Sequence, residues 1–308
     1  LYFSHANGFP ASTYRTIFAE LADDYEIHAI ERYGHDPRFP VTRDWPHLAE
    51  QLLEQIAAGG DDNRGDNRGY NDDRGGGGDG HGEDGRGADG RRPGSTADGR
   101  RVWLVGHSLG GYVSLLAAMQ QPHRVAGVVL LDSPIIAGWR WGVLAACQWA
   151  GLDERLSPAA ATKRRRTRWP DREAAWRHLR GKAAFSGWDE RMFADYIDFG
   201  IPAVAAGSAR TLWFERDIEY LIYRTLPRTL NARLRRGAPV PVGFIGGRHS
   251  REIRQVGLGA TLRLVGREFE WIDGGHLFPM EHPLETAHAL RRRLLSLATG
   301  PGAGATAA

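Results

Sequence analysis

Ser108 lies in the pentapeptide Gly106-His107-Ser108-Leu109-Gly110, after the apolar run Val102-Trp103-Leu104-Val105 and before an apolar segment that begins at Leu109. A serine between glycines at a strand-to-helix junction is the G-x-S-x-G elbow. The turn is so sharp that a Cβ at Gly106 or Gly110 would collide with neighbouring backbone, and the serine oxygen is lifted clear. The free N–H groups and dipole of the following helix favour negative charge beside that oxygen. The plain alternative, an ordinary tight turn that happens to contain serine, leaves the flanking strand and helix patterns as coincidence.

A hydroxyl is a poor nucleophile until a base takes its proton. Gly274-Gly275-His276-Leu277-Phe278-Pro279 supplies one, directly after the last strand and in the expected chain order, so His276 is read as the general base. His107 is inside the elbow and points elsewhere, and His282 and His288 fall on or near the closing helix. The chemistry implied is attack of Ser108 on a carbonyl, an acyl-serine intermediate, and its hydrolysis by a water that His276 activates.

The elements that must position these groups alternate between strand and helix, the pattern of a parallel sheet covered on both faces. Strands are expected over residues 1–3, 25–30, 101–106, 125–131, 240–245 and 268–272. Helices are expected over 13–22, 45–58, 109–120, around 253–265 and over 284–297. A long helical region from 135 to about 236 interrupts the rhythm. It is rich in tryptophan (Trp139, Trp141, Trp149, Trp169, Trp176, Trp188, Trp213) and punctuated by Pro158, Pro170 and Pro202. We read it as a helical cap: most of these aromatics fill the cap's own core, and one or two line a substrate cavity.

Two segments are too poor in apolar residues to pack. One runs over 59–100, a Gly/Asp/Arg tract whose single large apolar side chain is Tyr70, and the other is the Gly/Ala tail over 299–308. Both are expected to be disordered. His81 with its neighbouring aspartates, and the tripeptide Arg64-Gly65-Asp66, read as accidents of the tract. The expected organisation is a sheet core over 1–133 and 237–298, with the cap over 134–236.

Composition bounds the function classes. The chain has 308 residues, 42% hydrophobic and 25% charged, enough for one large core or two modest ones. No apolar run approaches the roughly 20 residues that cross a bilayer, and no secretory leader pattern opens the sequence. A cytoplasmic protein is expected, in agreement with a single cysteine, Cys147. Net charge is +3, and all but Lys163 and Lys182 of the 40 basic residues are arginine. That skew looks like the coding bias of a GC-rich, bacterial genome. The arginines are spread along the chain, so nucleic-acid binding is not expected, and Lys163–Arg168 reads as a solvated helix face.

With these motifs the chain resembles the α/β-hydrolases of the capped serine type, over essentially everything outside the tract and the tail. Ser4-His5-Ala6-Asn7-Gly8-Phe9-Pro10 is similar to the family's His-Gly oxyanion segment, and Arg32-Tyr33-Gly34-His35-Asp36 to its arginine- and glycine-containing turn. The resemblance implies a fold of about six parallel strands with an inserted cap before the last two. The family's usual first two strands do not precede this start, so strand 25–30 becomes an edge. It also implies an oxyanion hole made by the backbone N–H of Leu109 with that of Phe9, or next Asn7. Losing one such donor typically costs ~3 kcal/mol in barrier.

The family usually places its acid just after the strand matching 240–245, yet Gly246-Gly247-Arg248-His249-Ser250 contains no carboxylate; Glu252 is the nearest. A known variation takes the acid from the end of the preceding strand, here Asp132, at the sheet edge where functional side chains of such folds collect. Asp132 is favoured and Glu252 stays open, as does a Ser-His dyad in which Asp132 only caps the cap's first helix. A serine at the elbow argues against the aspartate-dependent haloalkane dehalogenases and epoxide hydrolases. The expected function is a carboxylic ester hydrolase acting on a small, mostly apolar acyl substrate, with no cofactor and no metal. The alternatives are thioester or C–C bond hydrolysis and a non-catalytic binding protein that kept the fold. Oligomeric state has no sequence signal.

Overall fold

The computed structural model describes residues 1–59, 101–137, 162–204, 207–227 and 229–300. The loose tract lies outside the described residues apart from Gly59, as do the tail from 301 and Trp139, Trp141, Trp149, Cys147 and Pro158. In chain order the elements are β1 (Tyr2–Ser4), a 3-10 turn (Ala11–Tyr14), α1 (Arg15–Leu21), β2 (His28–Ala29), α2 (Pro46–Gly59), β3 (Val102–His107), α3 (Leu109–Gln120) and β4 (Val125–Leu131). There follow β5 (Arg168–Trp169), α4 (Arg172–Arg180), α5 (Glu190–Phe199), β6 (Arg210–Thr211), α6 (Arg216–Arg224) and α7 (Leu230–Leu234). The chain closes with β7 (Val242–Gly247), α8 (Arg251–Val256), α9 (Gly259–Val265), β8 (Phe269–Ile272), α10 (Phe278–Glu281) and α11 (Pro283–Thr299).

Six strands form one parallel sheet in the order β2-β1-β3-β4-β7-β8. Alternate residues serve opposite faces. Phe3, Val105, Val129, Leu131 and Ile245 pack with Ile17, Phe18 and Leu21 of α1 and Leu290 and Leu294 of α11. Tyr2, Leu104, Val128, Leu130 and Phe244 pack with Leu48 and Leu52 of α2 and Val113 and Leu116 of α3. Burial on both faces is why these strands read as unbroken apolar runs.

Register decides where the chemistry sits. Ser4 pairs with Gly106, His107 with Leu131, Leu131 with Ile245, and Gly247 with Ile272. The carboxyl ends of β1, β3, β4, β7 and β8 are therefore flush, and the loops holding residues 5–10, Ser108, Asp132, 248–250 and 273–277 leave the sheet at one edge. That edge is where parallel α/β sheets bind and react.

Among its described residues, the segment between β4 and β7 carries the four helices α4 to α7 and a small antiparallel ribbon of β5 and β6. Asp171 caps α4 by accepting the Ala174 N–H, and Asp189 caps α5 by accepting the Arg191 and Met192 N–H groups. Trp169, Trp188, Phe193 and Tyr196 join the same buried cluster as Phe3 and Leu290, so these aromatics extend the core of the sheet domain instead of forming one of their own.

Four local expectations are corrected. The strand expected over 25–30 is paired only at His28–Ala29. The helix expected over 13–22 starts as a 3-10 turn before α1. The helix around 253–265 is two, because Gly257 turns the chain with φ 81°. The closing helix extends through Thr299, two residues past its expected end and one residue into the segment expected to be loose.

Candidate active site

Local backbone chemistry builds the elbow. A Cβ on Gly106 would lie 2.2 Å from the carbonyl carbon of Gly110, and one on Gly110 would lie 2.0 Å from the Ser4 oxygen. Only glycine fits both positions. Between them Ser108 takes φ 53°, ψ −111°, a left-handed conformation rare for a side-chain-bearing residue. Its N–H donates to the Leu131 carbonyl at 3.0 Å and its carbonyl accepts from Gly111 at 3.1 Å. The Ser133 hydroxyl also donates to the Ser108 carbonyl at 2.9 Å. The strained residue is thus held from both neighbours, and the Leu109 amide, opening α3, has no intrahelical acceptor.

Ser108, His276 and Asp132 meet. The serine Oγ lies 3.0 Å from His276 Nε2, and His276 Nδ1 lies 2.7 Å from Asp132 Oδ2. Ser108 and the His276 ring are half-buried, whereas Asp132 is fully buried. A carboxylate in that position needs donors, and it has three. Gly247 N–H reaches Oδ1 at 2.8 Å, while the Ser250 hydroxyl at 2.6 Å and His276 Nδ1–H share Oδ2. Asp132 also takes a positive φ, 43°, and its N–H donates to the Ile245 carbonyl at 2.9 Å. The loop after β7, which lacks a carboxylate next to its strand, therefore contributes donors to the acid that β4 presents. Glu252 stands farther off, with Oε2 3.8 Å from His276 Nδ1 and 41% of its side chain exposed.

Burial works against charge on His276, yet the hydrogen bond and charge of Asp132, with Glu252 and Glu281 beyond, hold its pKa above the ordinary imidazole value. With Nδ1–H fixed on Asp132, Nε2 is the nitrogen that faces the serine. Glu281 of α10 steadies the same loop by accepting the Gly275 N–H at 2.8 Å.

A buried polar chain behind the site was missed from sequence. The Ala6 N–H donates to the Tyr14 hydroxyl at 3.1 Å, and that hydroxyl lies 2.8 Å from His107 Nδ1. His107 Nε2 lies 2.9 Å from the His276 carbonyl. A carbonyl only accepts, so Nε2 carries the proton, and Tyr14 donates to Nδ1. Burial, then the charge of His276, push the His107 pKa down to about 3, which keeps the ring neutral. His107 does point away from Ser108, but its imidazole joins the loop after β1 to the loop that carries His276. No motif announces this, because Tyr14 and His107 are 93 residues apart.

The loop after β1 turns at Gly8, φ 83°. The Phe9 N–H donates to the Ala6 carbonyl at 3.1 Å, so this amide serves another acceptor only by sharing or releasing that bond. The Asn7 side chain donates to the Glu219 carbonyl at 3.0 Å. Above the loop, the Phe9 ring packs on Trp188 and Tyr196, with centroids 5.4 and 5.5 Å apart. Arg165 pairs with the buried Glu219 at 3.1 Å and with the Tyr196 hydroxyl, and Lys163 Nζ lies 4.0 Å from the Tyr220 ring centroid, which ties Lys163–Arg168 into the fold. Arg165 is therefore not part of a solvated face.

Among the described residues, Asp132, Glu252 and His276 form the one group of donor atoms with a spacing a cation would accept, all within 4.8 Å. The Nδ1–H and the Ser250 hydroxyl already satisfy Asp132, so the set reads as a hydrogen-bonded relay. No helix among the described residues is long and apolar enough to cross a membrane.

Comparison with known proteins gives the fold its context. No curated protein matches the sequence. Among solved structures, E-2-(acetamidomethylene)succinate hydrolase is similar at TM-score 0.65 and 19% identity, covering 96% of this chain and 90% of that one. The thioesterase domain from the curacin biosynthetic pathway is similar at TM-score 0.61 and 14% identity, covering 94% and 90%. An esterase of M. tuberculosis is similar at TM-score 0.61 and 16% identity, covering 95% and 84%. At such identities the likeness is one of fold. The sequence model described as "Alpha/beta hydrolase family" matches residues 1–289, and with the six-stranded parallel sheet this establishes that the chain belongs to the alpha/beta hydrolase family.

Proposed function

We propose that the protein is a serine hydrolase that cleaves a carboxylic ester or related acyl bond through an acyl-serine intermediate. The observation that carries this reading is the hydrogen-bonded line from Ser108 Oγ through His276 to Asp132, at 3.0 and 2.7 Å. In it, His276 Nε2 takes the Oγ proton as Oγ bonds to the carbonyl carbon, and Asp132 fixes the tautomer and stabilises the imidazolium. The oxyanion is held by the Leu109 N–H and by the Phe9 N–H, released from Ala6, with Asn7 the alternative loop residue. Collapse expels the alcohol with the proton from His276, and a water deprotonated by His276 then attacks the acyl carbon, releasing the acid and restoring Ser108.

Asp132 is favoured over Glu252 as the acid by its shorter contact and its three donors. The segment between β4 and β7 acts in this reading as a cap over 134–236, and its buried Trp188 and Tyr196 back the half-buried Phe9 ring of the loop after β1, an apolar surface that suits a mostly apolar acyl group. The site needs no metal or organic cofactor for these steps. The location proposed is cytoplasmic.

The test is labelling by a fluorophosphonate probe, with turnover of a p-nitrophenyl ester series of increasing acyl length. Labelling of the intact protein that is lost in Ser108→Ala is expected. Failure to label together with failure to turn over any ester would reject acyl-serine chemistry and leave the small-ligand binding reading. Preference for thioesters over the matched oxygen esters would redefine the substrate class while keeping the mechanism.

A further inference from the structure

We propose that Glu252 is a second carboxylate serving His276, a positioning residue that Ser250 couples to Asp132 and that partly takes over when Asp132 is neutralised. This rests on the reading of His276 as general base. Its basis is geometric. Two carboxylates on different elements converge on one ring nitrogen, Asp132 Oδ2 at 2.7 Å and Glu252 Oε2 at 3.8 Å from Nδ1. The Ser250 hydroxyl lies between them, 2.6 Å from Asp132 Oδ2 and 3.4 Å from Glu252 Oε2. Ser250 also caps α8 by accepting the Ile253 N–H at 3.2 Å, which fixes the first turn that presents Glu252. The hydroxyl has one proton, and Asp132 takes it through the shorter bond. Replacing Asp132 by a neutral group frees that proton to turn to Glu252.

The charged and titratable groups facing His276 are Asp132 at the end of β4, Glu252 on α8, Glu281 on α10 and His107 on β3. His107 meets the backbone carbonyl of His276 and is neutral, and Glu281 binds the Gly275 amide. Glu252 alone among them is a carboxyl group facing the ring that holds no backbone amide among the described residues. Its carboxylate is partly exposed, so its field on the ring is screened. One charge about 4 Å away in water-like surroundings is worth roughly 0.7 pH unit.

The experiment is the pH dependence of fluorophosphonate labelling of Ser108, run beside an NMR titration of the His276 imidazole that needs no catalysis. Glu252→Gln is expected to lower the His276 pKa by about 0.7 unit in both measurements, and Glu252→Asp to recover part of that shift. In the Asp132→Asn background, Glu252→Gln is expected to remove at least about tenfold more labelling rate than it does alone, the signature of coupled residues. An unmoved His276 pKa in a folded Glu252→Gln protein overturns the proposal, as does an equal effect of that change in both backgrounds. If wild-type protein fails to label at any pH, the acyl-serine reading falls instead, and the NMR titration still decides whether Glu252 acts on His276.

Discussion

The carboxyl edge of the sheet and the segment between β4 and β7 are built on opposite principles. At the sheet edge backbone sets the positions and side chains only brace them: register brings the strand ends flush, glycines permit the contacts at 106 and 110, and Asp132 receives a backbone N–H from Gly247, with Ser133, Ser250 and Glu281 adding side-chain hydrogen bonds. The inserted segment meets the loop after β1 through side chains, in the contacts of Trp188 and Tyr196 with the Phe9 ring, and is tied within itself by the Arg165–Glu219 pair. On the proposed chemistry, the difference predicts that reaction type and substrate choice are separable. Changes at the edge should act on turnover of every substrate, and changes in the aromatic wall should act on which substrate is held.

The largest effect is expected at the nucleophile and base. Ser108→Ala or His276→Ala should each lower kcat by about 10⁶-fold for all esters, with little change in KM, since these groups act as a unit. Steady-state kinetics over the ester series checks this. A loss confined to some acyl lengths would break the separation. Asp132→Asn comes next, at up to about 10⁴-fold, because an amide leaves the imidazole in the wrong tautomer. A loss under tenfold would transfer the acid role to Glu252.

The pH profile follows. His276 must be neutral to act as base, so kcat/KM should rise with pH through a pKa above 6.5. The stability linkage of His276 runs the other way: its folded pKa is raised, so its contribution is full below 6.5 and is lost as pH climbs through the folded value. His5 and His107 are the reverse. Burial depresses them to about 4 and about 3, so what they contribute is present above 6.5 and is lost as pH falls toward those values. Imidazole NMR should show both rings neutral at pH 5, and a ring titrating near 6.5 would contradict their buried hydrogen bonding.

These three histidines show how much was legible in the sequence. The position of His276 beside Ser108 could be read because it needs only a strand end and chain order, and that of Ser108 because its flanking glycines are a local demand of the turn. His5 and His107 could not. The Tyr33 N–H donates to His5 Nε2 across 28 residues, and Tyr14 reaches His107 across 93, partnerships that no periodicity encodes. The same holds for Asp132 against Glu252: spacing left both open, and the shorter contact to His276 with the donors from Gly247 and Ser250 sets Asp132 apart. The break at Gly257 was missed because a glycine within an apolar helical pattern signals a turn only when the backbone adopts positive φ. Removing the Tyr14 hydroxyl with Tyr14→Phe should cost about 1–3 kcal/mol of stability by leaving His107 Nδ1 and the Ala6 N–H without a partner. Thermal unfolding measures it. An unchanged melting temperature would mean that the relay is not holding the two loops.

The smallest stability change is expected in the aromatic wall, where it sharpens the contrast with the sheet edge. Trp188 is 3% exposed, and its indole Nε1–H finds no acceptor among the described residues. An unpaired buried donor is a standing cost of about 1–3 kcal/mol. Trp188→Phe removes that donor and keeps a ring against Phe9 and Phe185, but gives up the packing of the larger side chain, a loss of similar size and opposite sign. The melting temperature should therefore move by no more than a few degrees, equivalent to about 1 kcal/mol. The space left beside Phe9 should instead appear in KM, with longer or bulkier acyl groups gaining relative to acetyl and kcat holding within severalfold. A uniform fall in kcat with unchanged acyl preference would show that Trp188 acts on the loop after β1, not on the substrate, and would join the two regions into one catalytic unit.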